Sequence, residues 1–313
     1  MEVVSLPGIG QSPMSIAISL PAGTAKIIGL EVWMNEVLER ADRLRPEWDP
    51  DDVHDARVAI RRCRTMADTL RDVNPDPGWR KLKKHSKRLF RSLGDLRDRQ
   101  VERDWVKKLG PGGDSVRKHM LAVLARREKS CLAEAQDALE AFDRKAWRKL
   151  ARKLPEKSRF FPLESVVFQR EALAKLNEAV MLNQKARKNP SSVAWHRTRI
   201  AIKNFRYVVE NFLPQRYEPW AADLKNMQDL LGDVHDLDVL RADIKKEAAK
   251  LPAVEIAVWM EKIAAERNAR LQEFRRKTSE KNAPWLAWRS GFHWGHSLIA
   301  APPGEGARQA YAS

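Results

Sequence analysis

Cysteine is scarce: Cys63 and Cys131 are the only two in 313 residues. They lie far apart and match no metal spacing, which excludes a disulfide framework and a zinc module as organisers of the fold. No apolar run is long enough to span a bilayer. A secretory leader is not expected either, because Glu2 precedes Pro7 without a basic stretch and the apolar run from Ile16 is cut by Pro21. These absences predict a soluble, cytoplasmic protein with no membrane partner. Alternation of apolar and polar residues is missing outside a short stretch near Met14 to Leu20. Helix-turn-helix and zinc-finger patterns, a nucleotide-binding loop and a magnesium cluster are missing too. Acid is in short supply, with 42 Asp and Glu against 58 Lys and Arg, a net charge of +16 and a pI near 10.0. That balance points to a polyanion as partner: nucleic acid, an anionic membrane surface or another phosphate polymer.

What the chain does have is helical rhythm. After an irregular leader over residues 1–25, rich in Pro and Gly, Ile27, Leu30, Trp33, Met34, Val37, Leu38 and Ala41 recur at helical spacing until Pro46. Asp49-Pro50-Asp51-Asp52 opens a second helix running to about Asp72. A third begins near Trp79 and ends at Gly110-Pro111-Gly112-Gly113, and a fourth covers about 114–140. Two weaker helical pieces flank Pro155 and Pro162. The order then returns: helices over 164–187, from Ser191 or Ser192 to Pro214, over about 219–250, and over about 253–280. The predicted architecture is all-α, two pseudo-symmetric four-helix bundles from a duplicated unit. Repeat one covers about 26–155 and repeat two about 156–282. A C-terminal tail over 283–313 holds Trp285, Trp288 and Trp294, which would dock on the bundle.

The duplication is sharpest in one stripe. On the second helix His54, Arg57, Arg61 and Arg64 fall within roughly 80° of arc. Ile60, Cys63, Met66, Ala67 and Leu70 lie opposite. The spacing recurs as His196, Arg199, Lys203 and Arg206, backed by Ile202, Phe205, Val209 and Phe212. The histidines are 142 residues apart, and Gly94 and Gly232, each in a Leu-Gly-Asp, are 138 apart. An ordinary wet helix face mixes charge signs. A face gathered into cations, and repeated, asks for an anion, which Arg meets with forked donors and Lys with a mobile point charge. The histidines add a pH-dependent donor. They have no Cys or His partners at ligand spacing, so neither metal nor cofactor is expected.

The pattern His-x-x-Arg-x-x-x-Arg/Lys-x-x-Arg, followed by Leu-Gly-x-x-Arg/His-Asp and occurring twice, resembles the CHAD domain (conserved histidine α-helical domain). The resemblance covers about residues 26–282. It implies two pseudo-symmetric four-helix bundles with a basic groove or channel between them that binds inorganic polyphosphate. It also implies a standalone member without a CYTH domain, of the type linked to polyphosphate granules. Carried over by position, the implied phosphate ligands are His54, Arg57, Arg61, Arg64 and Lys87 in repeat one. In repeat two they are His196, Arg199, Lys203, Arg206 and Lys225. Lys84 and Arg91 extend the basic face of the third helix, but their counterparts are Ala222 and Asp229, so the first half should be the more basic. His235 stands where repeat one has Arg97, and Arg99-Gln100 replaces the second repeat's Leu237-Asp238.

Asp98 and Asp236 read as carboxylates that orient neighbouring cations, and Gly94 and Gly232 as points of close helix crossing. The function expected is non-catalytic polyphosphate binding, with granule proteins as further partners. Two alternatives stay open. One is a nucleic-acid binder using the same surface, although the stripe helices lack interleaved aromatics for stacking bases. The other is a phosphatase or phosphotransferase acting on phosphate chains.

Overall fold

The computed structural model describes residues 29–292, apart from Pro46 and residues 280–282. The leader, the stretch Met14 to Leu20 and the tail beyond Phe292, with Trp294, lie outside the described residues. Among the described residues every regular element is helical. Helix α1 is Leu30–Arg43, α2 Pro50–Val73, α3 Pro77–Leu109, α4 Ser115–Glu140 and α5 Arg144–Ser158. The second half holds α6 Val166–Lys188, α7 Ser192–Phe212, α8 Pro214–Glu247, α9 Ala253–Lys277 and α10 Pro284–Ser290.

The helix starts follow from short polar residues that satisfy the free amides of a first turn. The side chain of Asp49 accepts from the Asp51 amide at 2.8 Å, that of Asp114 from Arg117 at 2.7 Å, and that of Asp143 from Ala146 at 2.8 Å. Ser191 accepts from Ala194 at 3.1 Å, and Pro50, Pro77 and Pro214 occupy first turns where a missing amide costs nothing. Two prolines read as breaks are tolerated inside helices. Pro155 lies within α5, so the expected break there is absent. Pro219 lies within α8, which starts at Pro214, five residues before the expected boundary, because Pro219 falls in the second turn where few amide bonds are lost.

Each half winds alike. Helix α1 packs on α2, α2 on α3 and α3 on α4, while α6 packs on α7, α7 on α8 and α8 on α9. Like elements then meet across the molecule, α2 on α7, α3 on α8 and α4 on α9, as a pseudo-two-fold axis requires. Beyond the four long helices each half has a short fifth. Helix α5 lies on α1 and α3 and anchors through buried Trp147, whose Nε1–H donates to the Met34 carbonyl at 2.9 Å. Helix α10 lies on α6, with buried Trp288 against Trp220 of α8 at 6.2 Å between ring centroids. Trp285 and Trp288 therefore dock as expected.

The apolar sides of both stripe helices are sealed in a core that runs through both halves. Cys63 is fully buried as a free thiol, and burial pushes its pKa above the titration range of ordinary thiols. A second apolar cluster joins the halves at α3, α4, α8 and α9, with Trp105, Val106 and Met120 packed against Leu240, Ile244 and Trp259. Beside it lies a buried ionic network. Asp243 accepts from Arg99 at 3.1 Å, Arg127 at 2.7 Å and Lys246 at 2.6 Å, and Glu102 pairs with the same Arg99. One edge of the interface between the halves is thus closed by packing, and α2 meets α7 at the other.

Candidate functional site

Where α2 crosses α7, the two stripes face one another. Burial lowers the Lys203 amine from its ordinary 10.5 to about 7, with Arg199 on its own helix and Arg61 and Arg57 on α2 pushing the same way. Asp98 acts against them, and Asp236 lies within reach of Lys203 and Arg199 as well. Arg61 lies over the ring of Tyr207, 5.2 Å from its centroid, and burial followed by the nearby Arg57 holds its guanidinium below the ordinary value, opposed by Tyr207 and Glu210. The Nε atoms of Arg57 and Arg61 are shut off from solvent, and neither has a hydrogen-bond acceptor in the described structure. The sequence-predicted Arg57, Arg61, Arg199 and Lys203 are therefore brought together into one cationic centre.

The histidines flank that centre without being equivalent. His54 is exposed at the side of α2, and partial enclosure, then Arg97 and Arg61, lower its pKa. His196 is half-buried, with its Nδ1 3.3 Å from Nδ1 of His235. One ring of this pair must donate and the other accept, so both cannot carry a proton there. Burial, then Arg199 and His196, push His235 down to about 4.

Asp98 of α3 and Asp236 of α8 are the carboxylates closest in charge to this centre. Burial raises Asp236 to about 6, against the pull of Arg199, and Asp98 adds to the rise. Asp98 is raised as well, by desolvation first and against the pull of Arg57, although the residue is exposed. Each carboxylate lies near Arg199, which suits the orienting role read from sequence.

The remaining predicted ligands are held elsewhere. Arg64 donates to the Lys83 carbonyl at 2.6 Å and to Ser86 Oγ at 3.1 Å, with its guanidinium over Phe90. Arg206 donates to Gln228 Oε1 at 2.7 Å and Tyr217 Oη at 3.2 Å, and its Nε lies 3.4 Å from Glu210. Both therefore tie a stripe helix to the next helix of its own half. Lys84, Lys87 and Arg91 are exposed on α3, beside a depression of about 560 Å³ shared with Arg88, Asp95, Glu134 and Asp137. Lys225 is exposed and paired with Asp229 at 2.8 Å. The expected imbalance is present in these side chains: α3 offers three exposed cations, of which Arg91 lies 3.8 Å from Asp95, where α8 offers one that is paired.

Gly94 corrects an expectation. It makes room for a side chain rather than for a helix backbone, since a Cβ there would stand 3.3 Å from Arg57 Nε. At Gly232 a Cβ would meet nothing within 4 Å. Sequence reasoning also missed Phe90 and Tyr207, the rings under Arg57, Arg64 and Arg61. It missed Glu210 too, which binds Arg62 across the α2–α7 contact. The signal available for Tyr207 was its place directly after Arg206, where it reads as one more core aromatic. Among the described residues no group of three or more His, Cys, Asp or Glu side chains is placed to hold a metal ion.

The family model of the CHAD domain matches residues 33–244. The chain belongs to the CHAD domain family. It is similar in fold to the crystal structure of the CHAD domain from the plant Ricinus communis, at a TM-score of 0.58 and 20% sequence identity, covering 91% of this chain and 97% of that one. No curated protein sequence matches it. The matched span begins within α1 and ends within α8, so it contains both stripes and both Leu-Gly-Asp segments. In this CHAD domain helices α9 and α10 lie beyond the matched span. No helix among the described residues is long and apolar enough to cross a membrane.

Proposed function

We propose that this protein binds inorganic polyphosphate without turning it over, in a basic channel between the two halves, and that it does so in the cytoplasm at polyphosphate granules. One observation carries the reading. Lys203 sits among Arg57, Arg61 and Arg199 at the α2–α7 contact with the carboxylates Asp98 and Asp236 opposing them, and two of those guanidinium groups have a sealed Nε without an acceptor. Such a centre is electrostatically unfavourable alone and becomes favourable when an anion enters. A phosphate chain suits it, because it offers oxygens on all sides and needs no base or sugar contacts. Family membership supports the same ligand.

The sequence stretches nearest the centre supply rings beneath guanidinium groups, Phe90 and Tyr207, rather than free faces on which bases could stack. This favours a bare phosphate chain over a nucleic acid. The test is binding to long-chain polyphosphate at physiological salt in competition with RNA of equal charge concentration. RNA should displace poorly. Arg57→Ala with Arg199→Ala should weaken binding about a hundredfold or more, taking ~1.5–3 kcal/mol for each charge-assisted hydrogen bond lost. Helicity should be unchanged. Binding by the double variant equal to the parent protein's would refute the site. Affinity should also fall steeply with salt through counterion release. Incubation with polyphosphate and magnesium or manganese tests the binding role against phosphatase or phosphotransferase activity, which would release phosphate or shorten the chains.

A further inference from the structure

We infer that the outer face of α5 is a second polyanion-binding surface, and that through it the protein bridges one polyphosphate segment held at the α2–α7 centre to another outside the bundle. This rests on the polyphosphate reading above. Lys145, Arg148, Lys149, Arg152 and Lys153 are all exposed and recur at i, i+3, i+4, i+7 and i+8, a ridge about 12 Å long at 1.5 Å per residue. None of the five has an ion pair or hydrogen-bond acceptor for its side chain among the described residues, whereas their neighbours Arg144 and Lys157 are paired with Asp42 and Asp76. Asp143 is already used in capping the helix.

The fold does not need these charges. Helix α10 occupies the corresponding place in the second half, docks through its own tryptophans and carries Arg289 as its single cation, bonded to Asn177 at 3.0 Å. Like charges four residues apart destabilise a helix, and the five ridge cations make three such pairs among themselves, 145/149, 148/152 and 149/153. The stretches outside the described residues carry three carboxylate side chains, Glu2, Glu280 and Glu305, against the five cations of the ridge. The residues between the cations, Trp147, Leu150 and Ala151, turn inward, so the ridge offers neither an apolar wedge for lipid nor a ring for a base. It reads charge alone, which is what a bare phosphate chain presents. Because α5 lies on α1 and α3, the ridge and the α2–α7 centre belong to different faces of the first half, and one molecule can hold two segments.

The experiment compares the parent protein with the variant K145Q/R148Q/K149Q/R152Q/K153Q, using tripolyphosphate and long-chain polyphosphate as probes. Tripolyphosphate affinity, read by calorimetry, should be unchanged. The light scattering of bridged assemblies with long chains should be lost, and the log–log salt slope of long-chain binding should shrink by about 3 to 4 for five lost contacts. A second variant, K145R/K149R/K153R, should keep the bridging. Bridging by the glutamine variant at the parent's level overturns the inference while leaving the polyphosphate reading intact. Bridging by RNA or anionic vesicles but not by long-chain polyphosphate overturns it as well. Failure of the parent protein to bind either phosphate probe removes the reading beneath it.

Discussion

Lys203 offers the most quantitative test of the site. Its amine is lowered from 10.5 to about 7 by burial and by three arginines, Arg199, Arg61 and Arg57. At ~1.4 kcal/mol per pH unit, the full displacement corresponds to about 5 kcal/mol as an upper bound, since the side chain keeps some contact with water. A polyanion that fills the centre screens the arginines and returns the amine toward its ordinary value. Binding must then take up a proton above pH 7. At pH 8 the parent protein should take up close to one proton per bound chain, and above pH 7 affinity should fall by up to about tenfold per pH unit. The assay is isothermal titration calorimetry in two buffers of different ionisation enthalpy, with the difference in apparent enthalpy giving the proton count. Lys203→Arg is the control, because Arg61 fills the equivalent place in the first half and an arginine stays charged throughout. It should bind with little proton uptake and a flat profile from pH 7 to 9. Equal proton uptake by the parent protein and Lys203→Arg would falsify the argument. The same shift has a stability consequence before binding. The folded chain holds fewer protons on Lys203 than the unfolded chain between about 7 and 10.5, so this residue's destabilisation is complete below 7 and is relieved as pH rises through that window.

Three further outcomes follow from the packing. Gly94→Ala should displace Arg57, whose Nε would stand 3.3 Å from the new Cβ, and weaken polyphosphate binding by roughly three- to tenfold, of order 1 kcal/mol. Gly232→Ala meets nothing and should leave affinity alone while raising stability by about 0.5–1 kcal/mol in urea unfolding; equal effects of the two alanines on binding would dissolve the distinction. Asp243→Asn leaves Arg99, Arg127 and Lys246 short of a buried negative charge and should cost about 3–5 kcal/mol, read as a lower urea midpoint at pH 7. A midpoint shift worth under 1 kcal/mol would mean the network is better solvated than its burial indicates.

Helix punctuation and the repeat were legible because they are local. The Asp-Pro and Ser caps, the Gly-Pro break after Leu109 and the doubled stripe each leave a mark within a few residues, and the structure places helices α2, α3, α4 and α7 within two residues of the expected ends. Pro155 and Pro219 misled for the same reason, since tertiary packing overrides a local preference: buried Trp147 and Leu154 pin α5 ahead of its proline, and buried Ser158 follows it. The cationic centre was legible as a list but not as a partition. Nothing in the spacing separates Arg61, aimed across to the other half, from Arg64, which turns back to the Lys83 carbonyl, because that choice depends on what α3 and α7 present nearby. His235 was visible as the counterpart of Arg97, yet its contact with His196 needs the α7–α8 packing.

The pseudo-two-fold axis has a consequence for how a ligand is oriented. A linear phosphate chain is palindromic: it has no head or tail, and turning it end for end reproduces it. A site built from two identical halves would accept such a chain in two indistinguishable ways, and the chain could slide by one unit without meeting a new environment. Here the halves have drifted apart at matched places, Arg61 against Lys203 and Arg97 against His235, with only the second pairing His196 to a neighbouring ring. The drift gives the groove a polarity that its ligand lacks. In the empty centre the Lys203 side loses charge first as pH rises past 7, so the two ends that an incoming phosphate chain would meet differ most in alkaline solution.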